Sequence, residues 1–393
     1  MAERSLRDFA SRSLRVLRFH LAQLGLVPRR ISDSVHRGLP SSVRTRLVSS
    51  LERSGHVFEM DLDYVRPSIS RYRVESVVVA QNETFIIPPS GPIERPDGHY
   101  WNQLRVHRLT DVVVDPTTGL VFAGNKVISQ SSYGWRSAAD GAFLSTASTR
   151  ARRANRTYPI NGPIAPFAGA VFNYYHFLIE TLPRILHIRS IEPSVVVALT
   201  EPIAGHIHKI LTELGIQYRS IPKDAFAHND VLLCDPSPHP WPHPDNVRML
   251  RDLPIDGSLS DSSYPERVYI SRVGSPRELI NERDLEDFLE RHGYVSIRME
   301  QLPWSEQVGH FRRARSVVAA HGAGLANTAF MTPGADVLEL TTGVVWFPSM
   351  RNVSTMAGAQ HHLVLMRYRP EVPHGTAQDA IDALQTILAN RQG

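Results

Sequence analysis

The chain has 393 residues, of which 42% are hydrophobic and 21% are charged, and its formal net charge is +4. This composition is typical of a globular protein with two domains, and a charge this small without a long basic run beyond the N-terminus argues against a nucleic-acid-binding protein. With one cysteine, Cys234, the chain has no internal disulfide and no cysteine cluster for zinc, which favours a reducing, cytoplasmic setting.

The N-terminal segment predicts an amphipathic helix over residues 4–24. When it is drawn at about 100° per residue, its leucines and Phe9 fall on one side and most of its arginines on the other. Such a helix fits an anionic membrane surface, the surface of its own domain or a second subunit, or an Arg- and Ser-rich organelle presequence. No stretch approaches the roughly 18 apolar residues of a membrane span, so we expect a cytoplasmic protein, with peripheral contact at the inner membrane face left open.

The chain before residue 240 changes character at about residue 173. Up to that point it holds short β-type runs separated by Pro and Gly, and beyond it helices alternate with strands. The runs are Val74–Val79, Thr84–Ile87, Leu104–Leu109, Asp111–Val114 and Leu120–Ala123. The later elements are a helix over Asn173–Arg189, a strand over Val195–Leu199, a helix over Ile203–Leu214 and a strand over Val231–Cys234.

Residues 235–246 contain five prolines, which predicts an irregular segment and a linker between domains. The predicted organisation is an N-terminal helix and irregular segment over 1–65, a first domain over 66–240, and a second domain over 241–393.

The C-terminal half shows the clearest alternation of strands and helices, which predicts a parallel, doubly wound sheet. Asn281 is a candidate N-cap for the helix that carries Leu285, Phe288 and Leu289. The predicted strands are Val268–Ser271, Tyr294–Ile297, Ser316–Ala320, Val337–Leu340 and His362–Met366. The other predicted helices are Trp304–Arg315, a short one through Phe330, and Ala377–Asn390.

A His-Gly-Ala-Gly turn, residues 321–324, follows one of these strands and opens a helix. Ligands of open α/β sheets bind at the carboxyl ends of strands, and the free N–H groups of a helix start suit a diphosphate. Gly322 and Gly324 are expected to allow close backbone approach and positive φ, with Ala323 between them. The alternative is an ordinary tight connection that carries a surface histidine.

Two arginines and one glutamate are further candidates at the same sheet edge. Arg272 and Arg277 follow a strand, and their guanidinium groups match phosphate oxygens, although solvated surface arginines fit the pattern as well. Glu339 lies among apolar residues of a strand, where an unpaired carboxylate is costly. It could bind ribose hydroxyls or form a salt bridge with an arginine.

A second group of polar residues lies in the helix that begins near Asn173. On a helical wheel Asn173, His176, Glu180 and Arg184 share one arc, and the opposite face is apolar. His176 and Glu180 could form an acid–base pair, because a neighbouring carboxylate fixes the tautomer of histidine and raises its basicity. The alternative is an N-capping Asn and a surface ion pair. Two ligands are too few for a metal site.

Together these segments strongly resemble glycosyltransferase family 61 over about residues 157–345. The resemblance is carried by Tyr269-Ile270-Ser271-Arg272, Arg277, Asn281-Glu282, Gly293, Glu306-Gln307, Ala314, His321-Gly322-Ala323-Gly324, Asn327, Pro333-Gly334 and Glu339, with Asn173, His176, Glu180 and Pro183-Arg184 upstream. The first 150 residues match no motif of the family.

The resemblance implies a GT-B architecture, with two Rossmann-like domains facing each other across a cleft, and inverting transfer from a UDP-sugar. We expect fixed phosphate-binding groups, and not a bound metal, to offset the charge of the leaving group. The implied donor residues are Arg272, Arg277, His321, Gly322, Gly324, Asn327 and Glu339, and the implied residues of the opposite cleft face are Asn173, His176, Glu180 and Arg184. Many eukaryotic members carry Asp at the position of Glu180.

We therefore expect a transferase that acts on a glycan or glycolipid hydroxyl in cell-surface polysaccharide synthesis, with Glu180, or His176 oriented by Glu180, as base. One alternative is a non-catalytic nucleotide- or carbohydrate-binding subunit of a polysaccharide assembly complex. A metal-dependent hydrolase that uses His176 and Glu180 is the other.

Overall fold

The structure is a computed structural model that describes residues 59–61, 73–81, 83–87, 97–101, 103–115, 120–123, 126–128, 131, 160–167, 173–200, 203–221, 227–237, 241–255, 263–343 and 348–389. The amphipathic helix predicted over residues 4–24 lies outside these residues. None of the helices in the described part is long and apolar enough to cross a membrane.

The first half of the chain is organised around a mixed sheet. The strands before residue 240 are β1 (Glu59–Asp61), β2 (Arg73–Ala80), β3 (Glu83–Ile87), β4 (Asp97–Trp101), β5 (Leu104–Asp115), β6 (Leu120–Ala123), β7 (Lys126–Ile128), β8 (Ile164–Phe167), β9 (Val196–Thr200), β10 (Tyr218–Ile221) and β11 (Ala227–Cys234). Among the described residues, nine of them form one sheet in the order β1-β7-β6-β5-β11-β8-β9-β10, with β2 also paired to β5. Strands β3 and β4 form a separate antiparallel pair.

Most of the predicted strands of this half are present, with two differences. The runs Leu104–Leu109 and Asp111–Val114 are one strand, β5, which continues through the β-branched Thr110 because β2 and β11 pair along it. The sheet is also mixed and not parallel throughout. Four residues separate β5 from β6 and two separate β6 from β7, too few for the crossover that parallel pairing needs, and the parallel part is β11-β8-β9-β10.

The second half contains the parallel sheet that the sequence predicts. Its strands are β12 (Arg267–Ile270), β13 (Val295–Ile297), β14 (Ser316–Ala320), β15 (Asp336–Thr341) and β16 (Gln360–Leu365). They run parallel in the order β13-β12-β14-β15-β16. In the numbering of a doubly wound sheet this order is 2-1-3-4-5, which places a reversal of strand order between β12 and β14.

Helices cover both sheets. They are α1 (Leu182–Ile191), α2 (Gly205–Glu213), α3 (Pro244–Arg251), α4 (Glu282–Glu290), α5 (Trp304–Arg313), α6 (Ser349–Met356) and α7 (Ala377–Ala389). A π-helical segment, His176–Thr181, leads into α1, and the short helix after the His-Gly-Ala-Gly turn is a 3-10 helix, Ala323–Phe330. Asn281 precedes α4 as predicted, but it has a φ of 59° and its side chain makes no cap hydrogen bond.

The prediction that residues 235–246 are irregular is wrong from Pro244 onward. Helix α3 begins there, because a proline is tolerated in the first helical turn, where its missing N–H has no helical acceptor. The side chain of His243 accepts a hydrogen bond from the backbone N–H of Asp245 and so caps the helix. Asn246 and Val247 are buried, so this segment packs as part of the protein core.

One buried apolar cluster extends through both halves of the described chain. It contains Val106 and Phe177 from the first half together with Trp304 and Val317 from the second. Helix α3 contacts both α1 and the 3-10 helix, and α2 contacts α5. The core therefore joins the two sheets directly.

Candidate functional site

The first candidate site lies where the strand order of the parallel sheet reverses. At such a point the loops after two neighbouring strands leave in opposite directions, and a crevice opens between them at the carboxyl edge of the sheet. Strands β12 and β14 are the neighbours here, and Arg272 and His321 follow them. The η2 nitrogen of Arg272 donates a hydrogen bond of 2.6 Å to the backbone carbonyl of His321, so the two loops are in contact.

A pocket opens at this contact, and its lining is mainly cationic and polar. The side chains that carry this character are Arg272, Arg277, His321, Thr341, Thr342 and His374. The structure thus brings together the two arginines and the histidine that the sequence had singled out. It adds two threonines from the end of β15 and His374 from the loop before α7.

The pocket is electropositive, and its cationic groups affect one another. Burial and the charge of Arg277 lower the pKa of Arg272 to about 10. Burial and the charges of Arg277 and Arg272 lower the pKa of His374. Arg277 is exposed, and no ion pair joins it to a carboxylate in the described part of the chain. Such a pocket favours an anion.

Gly322 is required for space and not for a left-handed backbone conformation. Its φ is 166°, which is extended backbone open to any residue. A Cβ added at Gly322 would lie 1.6 Å from the η2 nitrogen of Arg272, whereas one added at Gly324 would lie 3.6 Å from Ile270 in ordinary contact. Gly324 is not in the left-handed region either. The lack of a Cβ at Gly322 therefore leaves room for the guanidinium of Arg272. Ala323 is the first residue of the 3-10 helix.

Glu339 lies behind His321 and is wholly buried. One of its carboxylate oxygens contacts His321 Nδ1, and the other contacts His361 Nε2 at 2.8 Å. Burial alone would raise the pKa of Glu339, but the hydrogen bonds from the two histidines hold it at about 2. The sequence had suggested a ribose hydroxyl or an arginine as partner. In the structure Glu339 instead holds His321 by Nδ1, which leaves Nε2 as the nitrogen not engaged by this carboxylate.

Asn327 is also wholly buried, and it links the two candidate groups of residues. Its side-chain oxygen accepts a hydrogen bond of 2.6 Å from the hydroxyl of Tyr174, two residues before His176. Burial raises the pKa of Tyr174 well above the ordinary value, so the hydroxyl keeps its proton and donates. Asn327 therefore joins the 3-10 helix to the start of the π-helical segment.

The second candidate site is the pair His176 and Glu180 in the π-helical segment. Nδ1 of His176 lies 2.8 Å from a carboxylate oxygen of Glu180, and the side chains are 17% and 9% exposed respectively. Burial and then the negative charge of Glu180 raise the pKa of neighbouring Tyr175. The histidine is thus the more accessible member of a partly buried pair, which is the geometry of a base oriented by a carboxylate.

The π-helical segment has a local cause in the sequence. Pro183 has no N–H to donate back along the helix, and the N–H of Leu182 donates to the carbonyl of Phe177, five residues earlier. A helical wheel drawn at α-helical pitch therefore misplaces the residues that follow the π-helical segment.

Of the two other predicted members of this face, one is exposed and one is buried. Asn173 is exposed and its side-chain oxygen accepts a hydrogen bond from Tyr175 N at 2.9 Å. Arg184 is buried, donates to the carbonyl of Cys234 at 2.9 Å and lies over the ring of Phe167. Arg184 thus ties α1 to the end of β11. In the described residues no group of three or more His, Cys, Asp or Glu side chains is arranged to hold a metal ion.

Sequence reasoning missed three residues of these sites: Tyr174, His361 and His374. Tyr174 lies on the apolar side of the helical wheel, and its hydroxyl is the one signal that a buried polar partner is needed. His361 and His374 come after Glu339, the last residue of the family motifs. Their distance along the chain from other polar residues gives no sign that they lie near a pocket. Only the pairing of β15 with β16 and the return of the chain before α7 bring them near Glu339 and Arg272.

Fold and site together define an α/β protein with a cationic pocket at a reversal of strand order. A protein-family model described as Glycosyltransferase 61 matches residues 174–338, a range that contains the His176–Glu180 pair and the loops after β12 and β14. The match confirms, for this segment of the chain, the resemblance to glycosyltransferase family 61 that its motifs predicted. No curated protein matches the chain.

Proposed function

We propose that the protein is an inverting glycosyltransferase that transfers a sugar from a UDP-sugar to a hydroxyl of a glycan or glycolipid, in cell-surface polysaccharide synthesis. The observation that carries the proposal is the convergence of Arg272, Arg277 and His321 on one pocket, within the segment that matches the family model. Polysaccharide synthesis is an expectation that rests on the resemblance to glycosyltransferase family 61.

In this proposal the diphosphate of the donor binds in the pocket. The guanidinium groups of Arg272 and Arg277 match phosphate oxygens in charge and shape. His321 adds Nε2, because Glu339 holds its Nδ1. These groups are already in position before the sugar leaves, so they stabilise the negative charge that develops on the leaving nucleotide. The proposed reaction uses no metal cofactor.

His176 is the proposed base, and Glu180 is its positioning residue. The carboxylate accepts the Nδ1 proton of His176, and Nε2 then accepts the proton of the acceptor hydroxyl as that oxygen attacks the anomeric carbon. The new glycosidic bond forms on the face opposite to the departing nucleotide, which inverts the configuration. The greater exposure of His176 supports this division of roles.

The proposed architecture is of the GT-B type, with an acceptor-side domain over 66–240 and a donor domain over 241–393, preceded by residues 1–65. The parallel sheet with its carboxyl-edge pocket supports the donor assignment of the second half. The proposed location is cytoplasmic, with peripheral membrane contact through residues 4–24.

The first test measures binding and transfer separately. UDP and a panel of UDP-sugars are titrated into the protein by calorimetry, and transfer to a polysaccharide acceptor fraction is then followed for the wild type, His176→Gln and Glu180→Gln. We expect His176→Gln to lower kcat by about 10²–10⁴ with unchanged UDP affinity, because a positioned base contributes rate and not donor binding. Glu180→Gln should lower kcat by a smaller factor.

Each outcome has a definite meaning. UDP binding without transfer to any acceptor would identify a non-catalytic binding subunit instead. Full turnover of His176→Gln together with loss of activity in Glu180→Gln would make the glutamate the base. Activity abolished by a chelator in the absence of any nucleotide would indicate the hydrolase.

A further inference from the structure

We propose that His374 is a third cationic contact for the donor diphosphate, and that it takes up a proton when the diphosphate binds. This inference rests on the proposed function and deepens it, because it names a specificity-determining residue and a pH dependence of the same pocket. His374 lies outside residues 174–338, so the family match assigns it no role.

The placement of His374 is the first support. It lines the pocket together with Arg272, Arg277 and His321, although it comes from the loop between β16 and α7. The neighbouring Pro373 accepts a hydrogen bond of 2.8 Å from the hydroxyl of Thr342, and the N–H of Ile280 bonds to the carbonyl of Gly375 at 3.2 Å. These bonds fasten the loop to the pocket wall on both sides of His374.

The charges that surround His374 are the second support. The groups that face it are Arg272 and Arg277 from the loop after β12 and His321 from the loop after β14. Two buried carboxylates act on Arg272: Glu339 is engaged by His321 and His361, and Glu282 accepts from the backbone N–H of Arg272 and the hydroxyl of Tyr269. Neither carboxylate lines the pocket, so the charges of Arg272 and Arg277 disfavour a further positive charge on His374, and burial lowers the pKa of His374 as well.

A bound diphosphate reverses this balance. Its negative charges neutralise the two arginines and add an acceptor for an imidazolium N–H, so the protonated form of His374 becomes favoured. A group with a lower pKa in the free protein than in the complex takes up a proton on binding. Binding should therefore tighten as pH falls from 8 towards 6, and the gain should level off below the pKa of His374 in the free protein.

The experiment is calorimetric titration of UDP at pH 6 and pH 8, in buffers of different ionisation enthalpy, with the wild type, His374→Gln and His292→Gln. The terminal phosphate of UDP titrates near pH 6, so the quantity of interest is the difference between wild type and variant. We expect His374→Gln to bind UDP about tenfold more weakly at pH 6 and less than about twofold more weakly at pH 8. It should also lose the proton uptake that the wild type shows.

His292→Gln is the matched control, because His292 lies at the opposite edge of the sheet, where its carbonyl accepts from Arg267. It should behave as the wild type. Equal proton uptake in wild type and His374→Gln, with UDP bound by both, would overturn this inference and leave the proposed function standing. Failure of the wild type to bind either UDP or pyrophosphate at any pH would overturn both.

Discussion

At the scale of single residues, Glu339 shows how a buried charge can organise a site that it does not line. Both of its oxygens are held by histidines, and the hydroxyl of Ser354 lies 2.8 Å from Nδ1 of His361 and so extends the network. A buried carboxylate in a low-dielectric interior persists only when it is paired in this way. The orientation of His321 therefore depends on a buried residue of the neighbouring strand, β15.

This arrangement predicts a pH-dependent contribution of Glu339 to stability. Its pKa is about 2 in the folded protein, against an ordinary value of 4.5, so its contribution is present above pH 4.5 and is lost as pH falls towards 2. We expect Glu339→Gln to lower the free energy of unfolding by about 3 kcal/mol at neutral pH, with a difference from the wild type that shrinks below pH 4.5.

Urea denaturation at several pH values measures this difference. Glu290→Gln, at an exposed position of α4, is the control and should stay close to the wild type at each pH. A difference for Glu339→Gln that stayed constant down to pH 3 would contradict the assignment.

At the scale of elements, the connection from β14 into the 3-10 helix requires a glycine at Gly322 but not at Gly324. A methyl group at Gly322 would occupy the position of the Arg272 guanidinium, while at Gly324 there is room for it. The sequence motif gives no reason to distinguish the two glycines, whereas the structure shows that a side chain would clash at Gly322 and fit at Gly324.

This difference predicts opposite results for two similar variants. Gly322→Ala should displace the flexible end of Arg272 and weaken UDP binding by about 10- to 100-fold, the range for loss of a charge-assisted hydrogen bond, with little change in stability. Gly324→Ala should bind UDP as the wild type does. Calorimetry and thermal unfolding of both variants check this, and equal affinity of the two variants would refute the steric argument.

At the scale of the whole molecule, the two sheets share a core and polar contacts. Glu213 at the end of α2 accepts hydrogen bonds from Trp304 N at 2.9 Å and Ser305 N at 2.7 Å, and so caps α5 in the other half. Tyr174 and Asn327 form a second link. Because these contacts and the common cluster would be lost if one half unfolded alone, the halves should be thermodynamically coupled.

We therefore expect the full chain to unfold in a single calorimetric transition, with equal calorimetric and van't Hoff enthalpies. Saturating UDP should move the whole transition upward, since a ligand of the native state stabilises everything that unfolds with its site. Two transitions, with UDP shifting just one of them, would show that the halves unfold independently.

The sequence alone predicted the parallel sheet, most of its strands and helices, the family, and the residues Arg272, Arg277 and His321 as candidates for one sheet edge. These features depend on local patterns of apolar residues, glycines and caps, which a sequence displays directly. Within 235–246 the pattern was misleading, because the same proline that breaks a helix interior also begins a helix.

Only the tertiary structure determined which side chains meet. Glu339 contacts two histidines, and Arg184 and Asn327 are buried. Gly322 leaves room for the guanidinium of Arg272, and His374 lines the same pocket. The mixed pairing of the first sheet and the π-helical pitch before α1 were also beyond the sequence pattern. These features depend on contacts between distant segments, whose energies follow from packing and burial in three dimensions and leave no periodic signal along the chain.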